Sequence, residues 1–409
     1  MATHGGEPLA SGLQGLRYLD KLLPLLRELR NVGCARDTAG NRNLHFDEYC
    51  LFVLLAMFNP LTRTVRALQR ASTLKTVQRK LSLPRTSLGS FSEATDVFEP
   101  ERLEAIIAQL GQELPRRDVS WRRDHVAQVL TAVDGSVVKT LASLAKAAYL
   151  RDKNGQSHSG WRFHTHFEID RRVPTRMDVT TAHNSGKTDE KNQLRTRLES
   201  DRCYVLDRWY AEFALWNEIV AKGSSYVCRI RDNSNLSQVC EERPLSDAAK
   251  KAGILRDIVV KLGTGKAAAR PDHPVRVVLV QTTPHKKRGG RKGGTAGPPS
   301  DGILKIATSL LDVPAEVIAE IYRQRWTIEL FFRFFKHVLG CRHLLSTDPC
   351  GIQIQAYCAI IACLLISLWT GGKPRPATYE MLCYYLMGWA ELNELLAHLN
   401  QLADSTAAN

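Results

Sequence analysis

The chain has 409 residues, 44% of them hydrophobic: enough for a sizeable core and more than one compact domain usually needs. Its formal net charge of +14 suits an anionic partner, nucleic acid or a membrane surface, or serves solubility alone. The 10 cysteines are scattered with no Cys-x-x-Cys pair, which excludes classical zinc spacing and argues against a disulfide scaffold, so reduced thiols in the cytoplasm are expected.

The first residues lack the basic and apolar regions of a signal peptide. Residues 13–29 place Leu16, Leu19, Leu23 and Leu26 on one side of a helix. Residues 46–58 read as a second, more buried helix that Pro60 stops. A short basic helix is expected over 73–81, a loop over 83–90 and another helix over 99–114. This helical N-terminal domain, residues 1–115, either binds DNA or caps the core; it carries no clean helix-turn-helix signature.

Beyond Pro115, Arg116, Arg117, Arg122 and Arg123 form a basic cluster. Residues 126–133 are apolar enough for a buried strand, and 161–169 and 175–180 read as the next two. Residues 187–198 read as a helix, and Tyr204-Val205-Leu206 as a short strand ending at Asp207. Trp209, Phe213, Trp216 and Val220 then repeat at helical spacing. Strands first and strand–helix alternation afterwards predict a mixed α/β core, with residues 116–224 as its first part. Strand-like runs at 226–230, 258–262 and 275–281 make residues 225–302 a β-rich insertion. Within it, residues 285–294 are a basic, Gly-rich run that either contacts DNA or is a solvated linker. Residues 303–310 resume as a strand. Asp312, Pro314 and Glu316 mark a helix expected to run to Leu339 and stop at Gly340, so that 303–345 complete the core. Residues 346–409 are expected to be helical, clearest at 379–402 and a candidate for dimerisation. The apolar stretch 356–369 is shorter than the ~20 residues of a membrane span and reads as a buried helix, so no membrane partner is expected.

The most informative segment is 321–336. At ~100° per residue, Tyr322, Arg325, Glu329 and Lys336 fall within a sector of about 60°. Ile321, Ile328, Phe332, Phe335 and Leu339 fill the adjoining sector, so this helix is largely buried. A carboxylate there is costly unless a cation or a hydrogen-bond donor satisfies it. For Glu329 that partner is either Arg325, four residues earlier, or a cation from outside the chain. Asp134 and Asp207 each follow an apolar run and are expected at strand ends, as turn or helix caps or as ligand groups presented by the sheet. Three carboxylates on adjacent elements make a hard oxygen site suited to Mg²⁺ or Mn²⁺, and a pair of such ions suits phosphodiester chemistry. His164 and His166 read as ordinary strand positions, and Cys358 and Cys363 as core.

Tyr322-x2-Arg325-x3-Glu329-x6-Lys336 resembles the signature of the DDE transposases of bacterial insertion sequences, in the group named IS-four that includes the Tn-five-like enzymes. Thr131-Ala-Val-Asp134-Gly135-Ser136 resembles the family's first aspartate motif and Leu206-Asp207-Arg208-Trp209-Tyr210 its second; Ala307-Thr308-Ser309-Leu310 ahead of Pro314-Ala315-Glu316 resembles the lead-in to the final helix. The resemblance spans roughly residues 126–370. It implies a ribonuclease-H-like core with a β insertion before the Glu-bearing helix. It implies Asp134, Asp207 and Glu329 as catalytic ligands of two Mg²⁺ or Mn²⁺ ions, and Tyr322, Arg325 and Lys336 as holders of DNA phosphates. Its implied partner is double-stranded DNA: terminal inverted repeats are bound, cut with metal and joined to target DNA by a homodimer on paired ends in the nucleoid. A hairpin intermediate with a flipped base is implied for such relatives. Two departures stand out. Trp209 replaces the usual glycine of the second aspartate motif, and the insertion has no tryptophan, where some relatives stack the extruded base; Tyr226 is its only aromatic. Two competing readings are a catalytically silent DNA binder or repressor, and a metal nuclease without strand transfer.

Overall fold

The computed structural model describes residues 19–32, 34–37, 40–116, 125–140, 149–151, 157–182, 186, 189–263, 269–282, 302–341, 343–370 and 373–407. The basic run 285–294 and Arg117, Arg122 and Arg123 lie outside them.

The N-terminal region is helical, as its leucine spacing predicts: α1 (Leu19–Glu28), α2 (Phe46–Phe58), α3 (Val65–Ser72), α4 (Lys75–Leu81), α5 (Leu88–Val97) and α6 (Leu103–Gln112). Helix α5 begins inside the segment expected to be a loop. Ser87 caps it, its hydroxyl accepting the Ser90 N–H at 3.0 Å, and Phe91 then buries against Phe52 and Tyr49.

The core is one mixed sheet: β1 (Val129–Thr140), β2 (Tyr149–Arg151), β3 (Ser157–Glu168), β4 (Val173–Thr181), β5 (Arg202–Leu206), β6 (Ser225–Arg229), β7 (Val239–Glu242), β8 (Ile254–Val260), β9 (Val275–Gln281) and β10 (Ile303–Thr308). Strand β1 pairs antiparallel with β3 and parallel with β5; β5 pairs parallel with β6. The connections carry α7 (Glu190–Thr196) and α8 (Phe213–Ala221). Cys203 to Leu206 are all buried, as a parallel strand covered on both faces requires. Alternate residues feed two apolar clusters: Leu130, Ala132, Cys203 and Val205 on one face, Val133, Tyr204 and Leu206 on the other.

The insertion strands extend this same sheet. Strand β10 pairs antiparallel with β6, and β9, β8 and β7 lie successively outward. Short α9 (Asp247–Lys251) lies between β7 and β8. A buried ion pair ties the insertion to the segment beyond β10. Arg276 on β9 grips Asp257 on β8 at 2.7 and 2.8 Å, and its remaining amine donates to the carbonyls of Leu310, Leu311 and Val313. Those residues lead into α10 (Ala315–Gln324) and α11 (Trp326–Arg333).

The chain closes with α12 (Pro349–Thr370), α13 (Pro376–Leu386) and α14 (Leu392–Ala407). Helix α12 has 22 residues, more than the apolar stretch suggested and enough to cross a membrane, but almost all of its apolar length is buried inside the fold. It packs against β4, α6 and α2, and the Gln353 side-chain oxygen accepts the Val179 N–H at 2.8 Å. The helix expected over 379–402 is two helices, α13 and α14, with Gly388 in the left-handed region between them.

Candidate active site

The parallel pairing of β1 with β5 ends at Val133 opposite Leu206. The next residues are Asp134 and Asp207, so the two carboxylates emerge side by side. Asp134 is not at a strand end, as its sequence suggested. Strand β1 runs on to Thr140 because β3 stays paired with it through Ser159; only the parallel partner stops. Each aspartate is steadied by backbone: Asp134 Oδ1 accepts the Gly135 N–H at 2.8 Å, and Asp207 Oδ1 accepts the Trp209 N–H at 2.8 Å, capping the 3₁₀ turn Arg208–Tyr210.

The helix expected to run unbroken to Leu339 is interrupted at Arg325. Its N–H bonds the Tyr322 carbonyl at 3.1 Å and its carbonyl takes the Ile328 N–H at 3.2 Å, the tighter three-residue pattern. Phe334–Val338 is then a π turn, a local widening frequent at functional sites, and Gly340 ends the element at φ +70°. Arg325, largely buried, bonds Glu329 Oε1 at 2.7 Å and reaches Asp134 Oδ2 at 3.6 Å. It also lies 5.9 Å from the centre of the Tyr322 ring. Lys336 Nζ donates to the Val137 carbonyl at 2.8 Å, pinning the π turn to β1 beside Asp134.

Of the two partners considered for Glu329, the ion pair with Arg325 is present, and the same guanidinium reaches Asp134. Burial pushes the Asp134 carboxyl up to about 6; Arg325 and the Gly135 N–H oppose this, while Asp207 and Glu329 add to it. Asp134 thus feels both other carboxylates. Among the described residues no three His, Cys, Asp or Glu side chains are already closed into a metal-binding group. The three carboxylates are all hard oxygen and come from three elements, the donor type that divalent cations take, with half-buried Asp134 feeling the charge of the other two.

One neighbour, Glu190, escaped the sequence reading. Glu190 on α7 is buried and pairs with Arg162 on β3. A methyl group on Gly135 would lie 2.7 Å from the Glu190 carboxyl, so a larger residue there would have to push that side chain away. Residues 28 positions apart carry no sequence signal for such a pair. Tyr210 is fully buried, and its hydroxyl has no hydrogen-bond partner among the described residues. Its presence in the second aspartate motif was the available signal. His164 Nε2 sits 2.8 Å from the Thr180 hydroxyl, and His166 stands edge-on to the Tyr204 ring. Burial pushes both imidazoles down to about 3.

The family model described as the transposase DDE domain matches residues 127–365, more than half of the chain. The chain belongs to this family. The match opens just before β1 and closes within α12, so the transposase domain takes in the sheet, both aspartates and the Glu329 helix. The chain is 24% identical over 209 residues to the putative transposase y4zB of Sinorhizobium fredii, covering 51% of this chain and 53% of that relative. It is 26% identical over 185 residues to the probable transposase for insertion sequence element IS5377 of Geobacillus stearothermophilus, covering 45% and 44%. The transposase chain thus spans about half the length of the curated relatives it matches. Among solved structures, it is similar to a piggyBac transposase synaptic complex with hairpin DNA, at a TM-score of 0.40 and 10% identity, covering 96% of this chain and 85% of that one.

Proposed function

We propose that this protein is a DNA transposase that binds the terminal inverted repeats of an insertion sequence and carries out divalent-metal-dependent strand cleavage and strand transfer. The observation that carries the proposal is the bridge from Glu329 through Arg325 to Asp134, with Asp207 emerging from the adjacent strand. In this reading Asp134, Asp207 and Glu329 hold Mg²⁺ or Mn²⁺, which supplies activation of the attacking oxygen and stabilisation of the leaving oxygen of a phosphodiester. Arg325 balances the charge of Asp134 and Glu329 and presents a planar fork suited to a phosphate. The Tyr322 phenol and the Lys336 ammonium give two further donors to a DNA end. The net charge of +14 draws the polyanion in. Three antiparallel strands, β4, β3 and β1, joined to parallel β5 and β6, support a ribonuclease-H-like core. A homodimer on paired ends, acting in the cytoplasm on nucleoid DNA, completes the proposal, with residues 1–115 and the basic run 285–294 contacting DNA.

The engagement of Arg325 with two of the three carboxylates favours one second reading, a catalytically silent DNA binder. Incubation of the purified protein with the DNA flanking its own gene, in Mg²⁺ or Mn²⁺, separates the two. Breaks at inverted repeats that disappear in Glu329→Gln while binding persists are expected. Binding without any break under either metal would leave the silent binder standing.

A further inference from the structure

We infer that helices α3 and α4 present a basic face that grips the phosphate backbone of duplex DNA whatever its sequence. The inference rests on the DNA-binding reading proposed above; it names, within residues 1–115, the part that binds and the part of DNA that it takes.

Asp and Glu number 42 over the whole chain, yet residues 49–92 contain none and hold seven Lys and Arg. Positive charge in this stretch therefore has no local counterweight. Arg66, Arg70, Lys75, Arg79 and Arg85 are exposed, and none of these five has a side-chain hydrogen bond or ion pair among the described residues. Arg102 and Arg323 show the contrast: both are exposed, and each pairs with a glutamate three residues earlier. Arg66 and Arg70 stand four residues apart on α3, and Lys75 and Arg79 four apart on α4, so each pair shares one helix face. Like charges so placed repel, a cost to the free protein that a polyanion removes. Leu68, on the opposite side of α3, is buried in the core. The unit is braced. The Gln78 amide on α4 donates to the Ser72 carbonyl at 2.7 Å, and the Ser72 hydroxyl accepts the Thr86 N–H at 3.0 Å, tying α3 to α4 and to the segment ahead of α5. The amide of Gln78, a group suited to reading adenine, is thereby occupied, which leaves the paired cations to take phosphates. Ahead of α3, Arg63 lies against the end of the Glu329 helix: a methyl group on Gly340 would be 3.3 Å from its guanidinium. The basic face is thus fastened to the element that carries Glu329 and Lys336, and a duplex gripped there is held in a fixed place relative to it.

The experiment measures DNA affinity of the full-length protein across a salt series, on the DNA flanking its own gene and on an unrelated duplex of the same length. Wild type is compared with the quadruple variant Arg66→Gln, Arg70→Gln, Lys75→Gln and Arg79→Gln. A control, Lys222→Gln, Lys250→Gln, Lys251→Gln and Lys261→Gln, removes the same charge from exposed positions elsewhere. The quadruple variant is expected to bind both duplexes more weakly, with the slope of log affinity against log salt shallower by about 3–4. Its melting temperature without DNA should not fall. Each pair variant, Arg66→Gln with Arg70→Gln or Lys75→Gln with Arg79→Gln, should show about half of the slope change, which keeps the test decisive if the quadruple variant folds poorly. An unchanged slope, a change matched by the control, or a loss confined to the flanking DNA overturns the inference. A wild type that binds neither duplex defeats the DNA-binding reading itself; a wild type that binds both, with variants that match it, defeats this inference alone.

Discussion

Two neighbouring stretches of helix show what the fold asks of regularity. Helix α12 is apolar all round, runs 22 residues without a break, and is buried on nearly every side. The stretch from Ala315 to Val338 is almost as apolar on its inner face, with Ile318, Ile321, Ile328, Phe332 and Phe335 in the core, yet it is interrupted at Arg325 and widened from Phe334. The difference lies in the charged side chains. Helix α12 has none to place. The other stretch must aim Arg325 at Asp134 and Lys336 at the Val137 carbonyl while keeping its hydrophobic face seated. An ideal helix gives each residue one fixed direction; a tightened turn and a π turn each rotate the residues beyond them, and both deviations occur where a charged group is delivered.

Substitutions in either stretch test this contrast. The largest expected effect is at the site: Glu329→Gln or Asp134→Asn should lower DNA cleavage about a thousandfold or more, the loss of several kcal/mol of transition-state stabilisation, with folding intact by circular dichroism. Retained cleavage in either variant would mean that the chemistry lies elsewhere. In α12 the mirror-image experiment is Ile360→Ala, fully buried, expected to cost about 2–5 kcal/mol in denaturant titrations. Arg325→Lys keeps the charge but not the fork that spans two carboxylates, so cleavage should drop about 10–100-fold, about 1.4–2.8 kcal/mol. Wild-type rates would reduce Arg325 to a point charge. Gly135→Ala should destabilise by about 1–3 kcal/mol through its overlap with Glu190, and Glu190→Asp in the same chain should recover part of that; no recovery would place the strain elsewhere.

The smallest effects are in pH dependence, and their signs differ. Buried His164 and His166 take a proton only near pH 3, whereas unfolded imidazoles do so near 6.5. The unfolded chain then binds more protons in between, so their contribution to stability is present above about 6.5 and is lost as pH falls. Asp134 works the other way. Its folded carboxyl protonates at about 6 and the unfolded one near 3.9, so stability falls as pH rises between those values. Melting temperatures across pH 4–7 should show a shallower acid limb in His166→Asn and a steeper one in Asp134→Asn. Superimposable curves would show that neither group titrates as its burial demands.

Much of this site was legible because its parts lie close in sequence or end apolar runs. Tyr322, Arg325 and Glu329 share a helical face by spacing alone, and Asp207 comes directly after three apolar residues of a buried strand. The mixed α/β class was readable from strand–helix alternation. The break at Arg325 was invisible, since hydrophobic periodicity averages over turns and a single tightened residue leaves the pattern intact. So was the continuation of β1 past Asp134, because the pairing with β3 is made by residues about thirty positions away. The Arg162–Glu190 and Arg276–Asp257 pairs join separate elements, and one sequence gives no sign of which arginine meets which acid.

The route of the chain between β6 and β10 has a consequence for how such a protein can be altered. Ile230 N–H bonds the Lys305 carbonyl at 3.0 Å, so the chain leaves the sheet and returns to it at neighbouring points. A short turn could bridge that gap, and the closure entropy of whatever lies between grows only slowly with its length. The excursion therefore leaves and rejoins the sheet at one place, but a replacement must fill both apolar clusters as Val277 and Val278 do, and it inherits two further duties of the excursion. It covers the hydrogen-bonding edge of β10, ending in the exposed, acidic strand β7, whose Glu241 and Glu242 discourage pairing with another chain. Through Arg276 it also holds the three carbonyls ahead of α10. A graft that satisfies the first duty and not the second would yield a soluble, folded protein whose Glu329 is no longer anchored from behind.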